Sequence, residues 1–190
     1  KIDQDSGGTF RAEVVQFLGL SAATCCISGG ALSAPYVKDM FGRLGVEILD
    51  FYGQTEIVPL TSQRPGQRVP GSVGTVAPGF ELKVRADGEV IGRGAATARG
   101  YFNDAENTRK TFRDGWVHTG DKGILDENGN LFIVGRMQDT FKTAKGKYVA
   151  PGPIESLFAA SPIIDQQVLV GLGLTQPVLI CTLGPDGLNR

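Results

Sequence analysis

The chain has 190 residues, of which 41% are hydrophobic and 21% are charged, and its formal net charge at pH 7 is −1. This composition supports a folded core in one domain or two small ones. Because the charge is nearly balanced and no block of five like charges occurs, we expect no nucleic acid and no anionic membrane surface as partner. No apolar run approaches the ~20 residues of a transmembrane segment, and the polar start of the chain is unlike a signal peptide, which predicts a cytoplasmic protein.

The three cysteines do not form a recognisable metal or disulfide pattern. Cys25 and Cys26 are adjacent in an apolar run, and Cys181 lies far along the chain. This spacing fits neither a disulfide framework nor a zinc site. We therefore predict that all three are buried as small hydrophobic residues.

The first part of the chain has the pattern of a strand, a helix and a second strand. The apolar run Ala22 to Ile27 predicts a buried strand, followed by the glycine turn Ser28 to Ala31. Ser33 is the expected N-cap of the next helix, and Pro35 lies in its first turn. A second apolar run, Val46 to Leu49, predicts another buried strand. Together these elements predict a βαβ unit with a parallel sheet.

The stretch Asp50 to Glu56 follows the second strand, which we expect to end at Gly53 and to lie beside the glycine turn. The ends of strands in open α/β sheets are where ligands bind. The Tyr52 ring suits a purine, the Thr55 hydroxyl suits a phosphate oxygen, and the Glu56 carboxylate suits Mg²⁺. The simpler interpretation is a tyrosine–glycine turn whose threonine and glutamate cap the next element. The glycine turn has the same two interpretations, a close approach of a flat base or a tight turn.

Beyond Glu56 the chain consists of short runs separated by glycine and proline, which predicts an antiparallel, barrel-like β region. Asp87-Gly88 and the segment Glu127 to Asn130 are predicted hairpin turns. Asn103 and Glu106 have the spacing of a capping box at the start of a short helix. The predicted fold class is α/β, followed by this β region and by a partial small α+β domain. That last domain comprises a helix over Pro151 to Ala160 and strands over Gln167 to Val170 and Val178 to Leu183.

Five motifs occur in an order that resembles the adenylate-forming (AMP-binding) superfamily. The chain looks like a central fragment of such an enzyme. They are Ser28-Gly29-Gly30-Ala31, Asp50 to Glu56, Gly88-Glu89 through Arg93-Gly94 to Gly100-Tyr101, Gly115 to Asp121, and Gly135-Arg136 through Lys142 and Gly146 to Pro151 and Glu155. The segment Phe141 to Pro151 is most similar to the long-chain fatty acyl-CoA synthetase branch.

The resemblance implies a two-step ligase reaction. A carboxylic acid, which the resemblance to this branch implies is a fatty acid, reacts with ATP to give an acyl-adenylate and pyrophosphate, and coenzyme A then displaces AMP to give a thioester. The implied cofactors are ATP or AMP and Mg²⁺, with coenzyme A as co-substrate. Two other functions stay open, an adenylation domain that loads a carrier protein and a non-catalytic nucleotide-binding module.

The resemblance also implies roles for individual residues. Tyr52 would stack on adenine with Gly29 and Gly30 on its other side, Asp50 would accept from the exocyclic amine, and Ala31, Phe51 and Gly53 would complete this contact. Thr55 and Glu56 would be the catalytic residues, with Thr55 on the α-phosphate and Glu56 as the Mg²⁺ ligand. Asp121 would accept both ribose hydroxyls, and Arg136 would bond the ribose. Lys142 and Gly146 would line the path of coenzyme A, although a solvated basic loop is an equal alternative.

The implied domain boundaries divide the chain at three places. Residues 1–56 would end the nucleotide-binding α/β subdomain, 57–134 would form the β-rich subdomain, 135–138 the hinge, and 139–190 the start of a mobile domain. Gln138 and Pro153 depart from the residues common at those positions of the family. Residues 1–27 contain no phosphate loop and no lysine follows Lys147, so we expect the chain alone to be inactive. His118 is expected to pack without a carboxylate partner.

Overall fold

A computed structural model describes residues 8–31, 35–158, 161 and 163–184. The predicted N-cap Ser33 and the predicted last turn of the C-terminal helix, residues 159 and 160, lie outside the described residues. Within the described ranges, no helix is both long enough and apolar enough to cross a membrane.

The first part of the chain forms a four-stranded sheet in the order β1-β2-β3-β4. Its elements are α1 (Gly8–Phe17), β1 (Cys26–Ser28), α2 (Pro35–Arg43), β2 (Ile48–Gln54), β3 (Ile57–Ser62) and β4 (Thr75–Val76). β1 and β2 are parallel and are joined by α2, whereas the other pairs are antiparallel. The predicted βαβ unit is therefore confirmed.

β1 is neither as long nor as buried as its sequence predicts. It has three residues, and Ile27 is 67% exposed. Cys25 and Cys181 are exposed and Cys26 is partly exposed, so the prediction that all three cysteines are buried is wrong. β1 is exposed because it stands at one end of the sheet order and has β2 on one side.

β2 continues through the tyrosine–glycine stretch instead of ending at Gly53. The strand extends to Gln54, and its pairing with β3 shifts register between Tyr52 and Gln54. A Cβ at Gly53 would lie 2.7 Å from the backbone oxygen of Ile57. Glycine is required there because β3 approaches closely, and the strand turns only afterwards, at Thr55.

The second sheet is antiparallel, with the order β5-β6-β8-β7 and with β9 paired to β8. Its elements are β5 (Phe80–Val84), β6 (Glu89–Gly94), α3 (Ala105–Thr111), β7 (Phe112–Arg113), β8 (Trp116–Leu125) and β9 (Leu131–Arg136). β5 and β6 are joined through Asp87-Gly88, and β8 and β9 through the segment Glu127 to Asn130. Both predicted hairpin turns are confirmed.

The cap of α3 lies one residue later than predicted. Asp104 is the N-cap, and its carboxylate accepts a hydrogen bond from the backbone N–H of Asn107. Asn103 has a backbone φ of +54° and belongs to the preceding turn. Glu106 instead pairs with Lys110 at 2.6 Å. The predicted capping box is therefore wrong, because Asp104 supplies the side-chain acceptor that satisfies the first turn.

The main core lies between the two sheets. Ile57 and Leu60 from β3 pack with side chains of the second sheet that include Val90, Val117 and Leu131. This packing holds β2 close to β8 and β9. The proposed subdomain boundary after residue 56 falls between β2 and β3 of a single sheet, and the boundary stays a prediction.

The last part of the chain forms two small hairpins and a helix. Its elements are β10 (Phe141–Lys142), β11 (Tyr148–Val149), α4 (Pro151–Phe158), β12 (Ile164–Val170) and β13 (Val178–Leu183). α4 contacts β9 and β12, and the Glu155 carboxylate accepts a hydrogen bond of 2.7 Å from the backbone N–H of Leu169. The helix start at Pro151 is as predicted. The proposed hinge, residues 135–138, covers the end of β9 and the following turn, and its role stays a prediction.

The packing between the sheets predicts a large effect of Leu60→Ala. Leu60 is fully buried, so its truncation leaves a cavity and we expect the free energy of unfolding to fall by about 3 kcal/mol. Urea unfolding followed by circular dichroism measures this change. Leu157→Ala on α4 deletes the same atoms from a side chain that is 77% exposed, and serves as the matched control. Equal losses in the two variants would contradict the assignment of Leu60 to the core.

Candidate functional site

Asp121 is a buried carboxylate on which three side chains converge. It is 5% exposed. Its Oδ2 accepts hydrogen bonds from the Tyr52 hydroxyl and from Gln54 Nε2, each at 2.7 Å. Its Oδ1 lies 3.0 Å from Arg136 Nε. A carboxylate at this depth keeps its charge only when donors replace the lost water, and these three supply them.

The sheet geometry explains why these residues meet. Tyr52 and Gln54 are two positions apart on β2 and therefore project to the same side of the strand. Asp121 and Arg136 are direct partners in the register of β8 and β9, so their side chains share one face. The core between the sheets then brings the two pairs together.

Two adjoining cavities contain most of the predicted nucleotide-binding residues. The first has a volume of about 150 Å³ and is lined by Gly30, Ala31, Asp50, Phe51, Tyr52, Gly53, Gln54, Val73, Asp121, Ile133 and Arg136. The second, of about 620 Å³, shares five of these and adds Thr55, Glu56 and Val58. Residues from both predicted halves of the site, around the glycine turn and around Asp121, thus face one continuous groove.

Gly29 lies against the aromatic ring of Phe51. A Cβ at this position would lie 2.3 Å from Phe51 Cε1, so the Phe51 side chain packs directly on the glycine. The glycine turn and the Asp50 stretch lie side by side as predicted, with Ser28 paired to Asp50. Of the predicted glycine pair, Gly30 is the member that lines the groove.

Asp50 is engaged by a lysine that the sequence did not indicate. Lys38 on α2 forms a buried ion pair with Asp50 Oδ2, and both residues are 7% exposed. The backbone N–H of Asp50 also donates to Gln63 Oε1 at 2.9 Å. One oxygen of the predicted adenine acceptor is therefore already occupied. A lysine in a helix is usually a solvated side chain, so only the packing of α2 on β2 reveals this pair.

The hydroxyl of Tyr52 is held in its protonated form. Burial is the main cause that raises the pKa of Tyr52 far above its ordinary value, and the negative charge of Asp121 adds to it. The phenol therefore acts as a donor to Asp121 across the physiological pH range. Its ring packs against the main core.

Thr55 and Glu56 lie at the open end of the groove. Thr55 is exposed and Glu56 is half-buried. The Tyr101 hydroxyl donates to Glu56 Oε1, and this hydrogen bond raises the pKa of Tyr101 above its usual range. The described residues contain no group of three or more His, Cys, Asp or Glu that could hold a metal ion alone. A single carboxylate still fits Mg²⁺ where phosphates and water supply the other ligands of the ion.

Lys142 and Gly146 are apart from this groove in the described structure. Lys142 Nζ lies 5.3 Å from the centre of the Tyr148 ring on the β10–β11 hairpin, and Gly146 belongs to the turn of that hairpin. The neighbouring Phe141 does line a third cavity, of about 780 Å³, which lies between Asp121, Arg136 and the C-terminal elements.

His118 has a carboxylate partner, contrary to expectation. Its Nδ1 lies 2.8 Å from Glu89 Oε2 and 2.8 Å from a guanidinium nitrogen of Arg113. The other oxygen of Glu89 accepts a hydrogen bond from the backbone N–H of Gly120 at 3.2 Å. This partly buried cluster therefore supports the part of β8 that directly precedes Asp121. Local sequence patterns do not indicate this pair, because His118 and Glu89 are 29 positions apart.

Comparison with known families identifies the family of the chain. A family profile described as "AMP-binding enzyme" matches residues 7–102, which is half of the chain. The chain belongs to this family. The match includes the glycine turn and the whole of the Asp50 to Glu56 stretch, and the resemblance predicted from the motifs is confirmed.

Curated members of the family with similar sequences carry fatty-acid ligase names. "Long-chain-fatty-acid--CoA ligase FadD15" of Mycobacterium tuberculosis is 37% identical over 165 residues, which are 86% of this chain and 27% of that protein. "Long-chain-fatty-acid--CoA ligase 5" of Rattus norvegicus is 34% identical over 174 residues, covering 84% of this chain and 25% of that protein. The chain thus spans about a quarter of the length of these relatives.

Solved structures of adenylate-forming ligases share the fold, which confirms the predicted fold class. The anthranilate CoA ligase AuaEII in complex with anthranoyl-AMP has a TM-score of 0.77 and 30% identity, covering 88% of this chain and 35% of that one. A benzoate CoA ligase from Burkholderia xenovorans has a TM-score of 0.72 and 28% identity, covering 85% and 35%. The Bacillus subtilis o-succinylbenzoate CoA synthetase has a TM-score of 0.80 over 93% of this chain and 40% of its own. At 22% identity, that likeness concerns the fold alone.

The raised pKa of Tyr52 predicts a dependence of stability on alkaline pH. In the unfolded chain a tyrosine ionises near its ordinary pKa of about 10, whereas folded Tyr52 keeps its proton to higher pH. Stability from this source is complete below about pH 10 and falls as the pH rises above it. We expect Tyr52→Phe to flatten the decline in unfolding free energy above pH 10, as measured by urea unfolding at several pH values.

The same variant should be less stable at pH 8. Asp121 loses one donor, so we expect a loss of about 1–2 kcal/mol. The matched control is Tyr148→Phe, which removes a hydroxyl from a residue that is 72% exposed and should change stability by less than about 0.5 kcal/mol. An unaltered pH profile in Tyr52→Phe would show that Tyr52 ionises alike in the folded and unfolded chain.

Proposed function

We propose that this chain forms the nucleotide-binding centre of an ATP-dependent acyl-CoA ligase. The ligase would activate a fatty acid as its acyl-adenylate and transfer the acyl group to coenzyme A. The observation that carries the proposal is the convergence of Tyr52 and Arg136 on Asp121, beside Thr55 and Glu56 in one groove. The names of the similar relatives support a fatty acid and coenzyme A as substrates.

At one end of the groove, Asp121 would bind the ribose. Its charge is already balanced by Arg136, and the two donors on its Oδ2 restrict the rotation of the carboxylate. A ribose hydroxyl is a hydrogen-bond donor, and a carboxylate in fixed orientation accepts from it without a large loss of side-chain entropy. The face of the Tyr52 ring, held by its hydroxyl, and the backbone at Gly30 would enclose the base.

At the open end, Thr55 and Glu56 would meet the phosphates. The Thr55 hydroxyl is exposed and would donate to the α-phosphate oxygen that gains charge during attack by the carboxylate. Glu56 would hold Mg²⁺, which when bound neutralises phosphate charge and makes the phosphorus more electrophilic. The hydrogen bond from Tyr101 limits the orientations of the Glu56 side chain.

The roles of the later segments follow the same proposal. Residues 135–138 would be the hinge and 139–190 the start of a mobile domain, with Lys142 and Gly146 near the path of coenzyme A. A cavity of about 780 Å³ that is lined by Phe141, Asp121 and Arg136 supports this part of the proposal. A cytoplasmic location stays a prediction.

Carboxylate-dependent ATP–pyrophosphate exchange tests the proposal. The assay uses the 190-residue chain and, where the protein is longer, its full length, with palmitate, octanoate, acetate, benzoate and anthranilate offered separately. Palmitate should drive the fastest exchange, and coenzyme A should then release AMP. A preference for benzoate or anthranilate would identify an aromatic-acid ligase, like the solved neighbours. If none of the carboxylates drives exchange, a nucleotide-binding module becomes the better account. Strong exchange by the 190-residue chain would contradict the expectation that it is inactive alone.

The proposed ligand role of Glu56 predicts a specific loss in Glu56→Gln. The amide retains the shape but removes the negative charge, so we expect exchange to fall about 100-fold and to require more Mg²⁺ for half its maximal rate. A titration of exchange rate against Mg²⁺ concentration measures both effects, in the same full-length protein as the exchange assay. Glu127→Gln, in the exposed β8–β9 turn, is the control and should leave both unchanged. A similar Mg²⁺ requirement in both variants would remove Glu56 from the metal site.

A further inference from the structure

Gln54 occupies the one position of the Tyr52 to Glu56 stretch for which the sequence indicated no role beyond the turn itself. Its side-chain amide donates twice from Nε2. One hydrogen bond, of 2.8 Å, reaches the backbone oxygen of Thr119, and the other, of 2.7 Å, reaches Asp121 Oδ2. Because a primary amide has two N–H donors, both are used at this point of β8.

These two bonds restrain Asp121 through both its neighbouring backbone and its side chain. The bond to Thr119 holds the backbone of β8 two residues before Asp121, and the bond to Oδ2 holds the Asp121 side chain. Carboxylate rotation about χ2 is broad and soft, so contacts at one oxygen determine where the other points. With Gln54 and Tyr52 both on Oδ2, the oxygen that can accept a further hydrogen bond is Oδ1.

Oδ1 is the less saturated oxygen. Arg136 is the side chain that reaches it among the described residues, and the Arg136 side chain is 51% exposed. An oxygen with a spare lone pair beside an exposed guanidinium suits a hydroxyl donor. Oδ2 already accepts two hydrogen bonds. The arrangement favours acceptance through one oxygen over the two-oxygen contact that the sequence predicts for Asp121.

We propose that Gln54 is a positioning residue for nucleotide ribose recognition, acting by holding Asp121 so that Oδ1 accepts a ribose hydroxyl. This inference rests on the proposed nucleotide-binding function. A neutral amide suits the task because it donates without competing with Arg136 for the charge of Asp121. A carboxylate in its place would set two negative groups within hydrogen-bond distance.

The test compares two nucleotides that differ only in the ribose hydroxyls. Isothermal titration calorimetry measures the Kd of AMP and of 2′,3′-dideoxy-AMP for the 190-residue chain and for Gln54→Met. The unsubstituted chain should prefer AMP by about tenfold or more, the effect of a charge-assisted hydrogen bond. Gln54→Met should lose about tenfold in AMP affinity and less than twofold in affinity for the dideoxy nucleotide, so that the preference disappears.

Gln63→Met is the matched control. Gln63 also donates twice from Nε2, to the backbone oxygens of Val69 at 2.8 Å and Ser72 at 2.9 Å, but it makes no contact with Asp121. It should lower stability and keep the preference for AMP. If Gln54→Met fails to fold, Gln54→Asn replaces it, since the amide is then one methylene too short to reach Asp121.

Three outcomes overturn the inference. They are an unchanged AMP preference in the Gln54 variant, equal losses for both nucleotides, and no preference in the unsubstituted chain. Binding of neither nucleotide by the unsubstituted chain would count against the proposed function instead. Crystal structures of the two variants then decide the role of Gln54. An Asp121 carboxylate turned away from Tyr52 only in Gln54→Met supports positioning, and an unmoved carboxylate refutes it.

Discussion

The structure depends on satisfying one buried carboxylate. An unpaired charge as deeply buried as Asp121 costs several kcal/mol, so the fold must deliver donors to it. Two of the donors, on Tyr52 and Gln54, come from the first sheet, and Arg136 comes from the second. The core between the sheets and this polar cluster therefore support each other. A shift of either sheet would leave the charge without its partners.

β2 is the strand that links this cluster to the rest of the first sheet. Asp50 is held to α2 by the buried ion pair with Lys38, and two residues later Tyr52 is bonded to Asp121. Beyond it, Thr55 and Glu56 emerge into a more exposed cavity. Burial thus decreases from Asp50 to Thr55, so that in our proposal the more buried part would take the ribose and the open end the phosphates and a hydrated ion. This gradient agrees with the proposal that a nucleotide occupies the groove.

The comparisons separate what the family shares from what distinguishes its members. Ligases named for anthranilate, benzoate and fatty acids all resemble this chain, although their acids differ greatly in shape. In our proposal the residues around Asp121 contact the nucleotide and do not contact the acid. A fold common to several substrates supports the adenylating chemistry more strongly than it supports any one acid. The fatty-acid assignment therefore depends on the relatives' names and on the exchange assay.

The sequence by itself determined the elements whose causes are local. Turn residues placed both hairpins, the strand–helix–strand pattern predicted the βαβ unit, and ordered motifs identified the family and the candidates Tyr52, Asp121 and Arg136. The tertiary structure decided which side chains touch. The partners of Gln54 lie 65 and 67 residues away, and Lys38 meets Asp50 only because α2 packs on β2. The exposure of Cys25 likewise follows from its place beside an edge strand. Such contacts depend on distances between separate elements, and a linear pattern does not contain those distances.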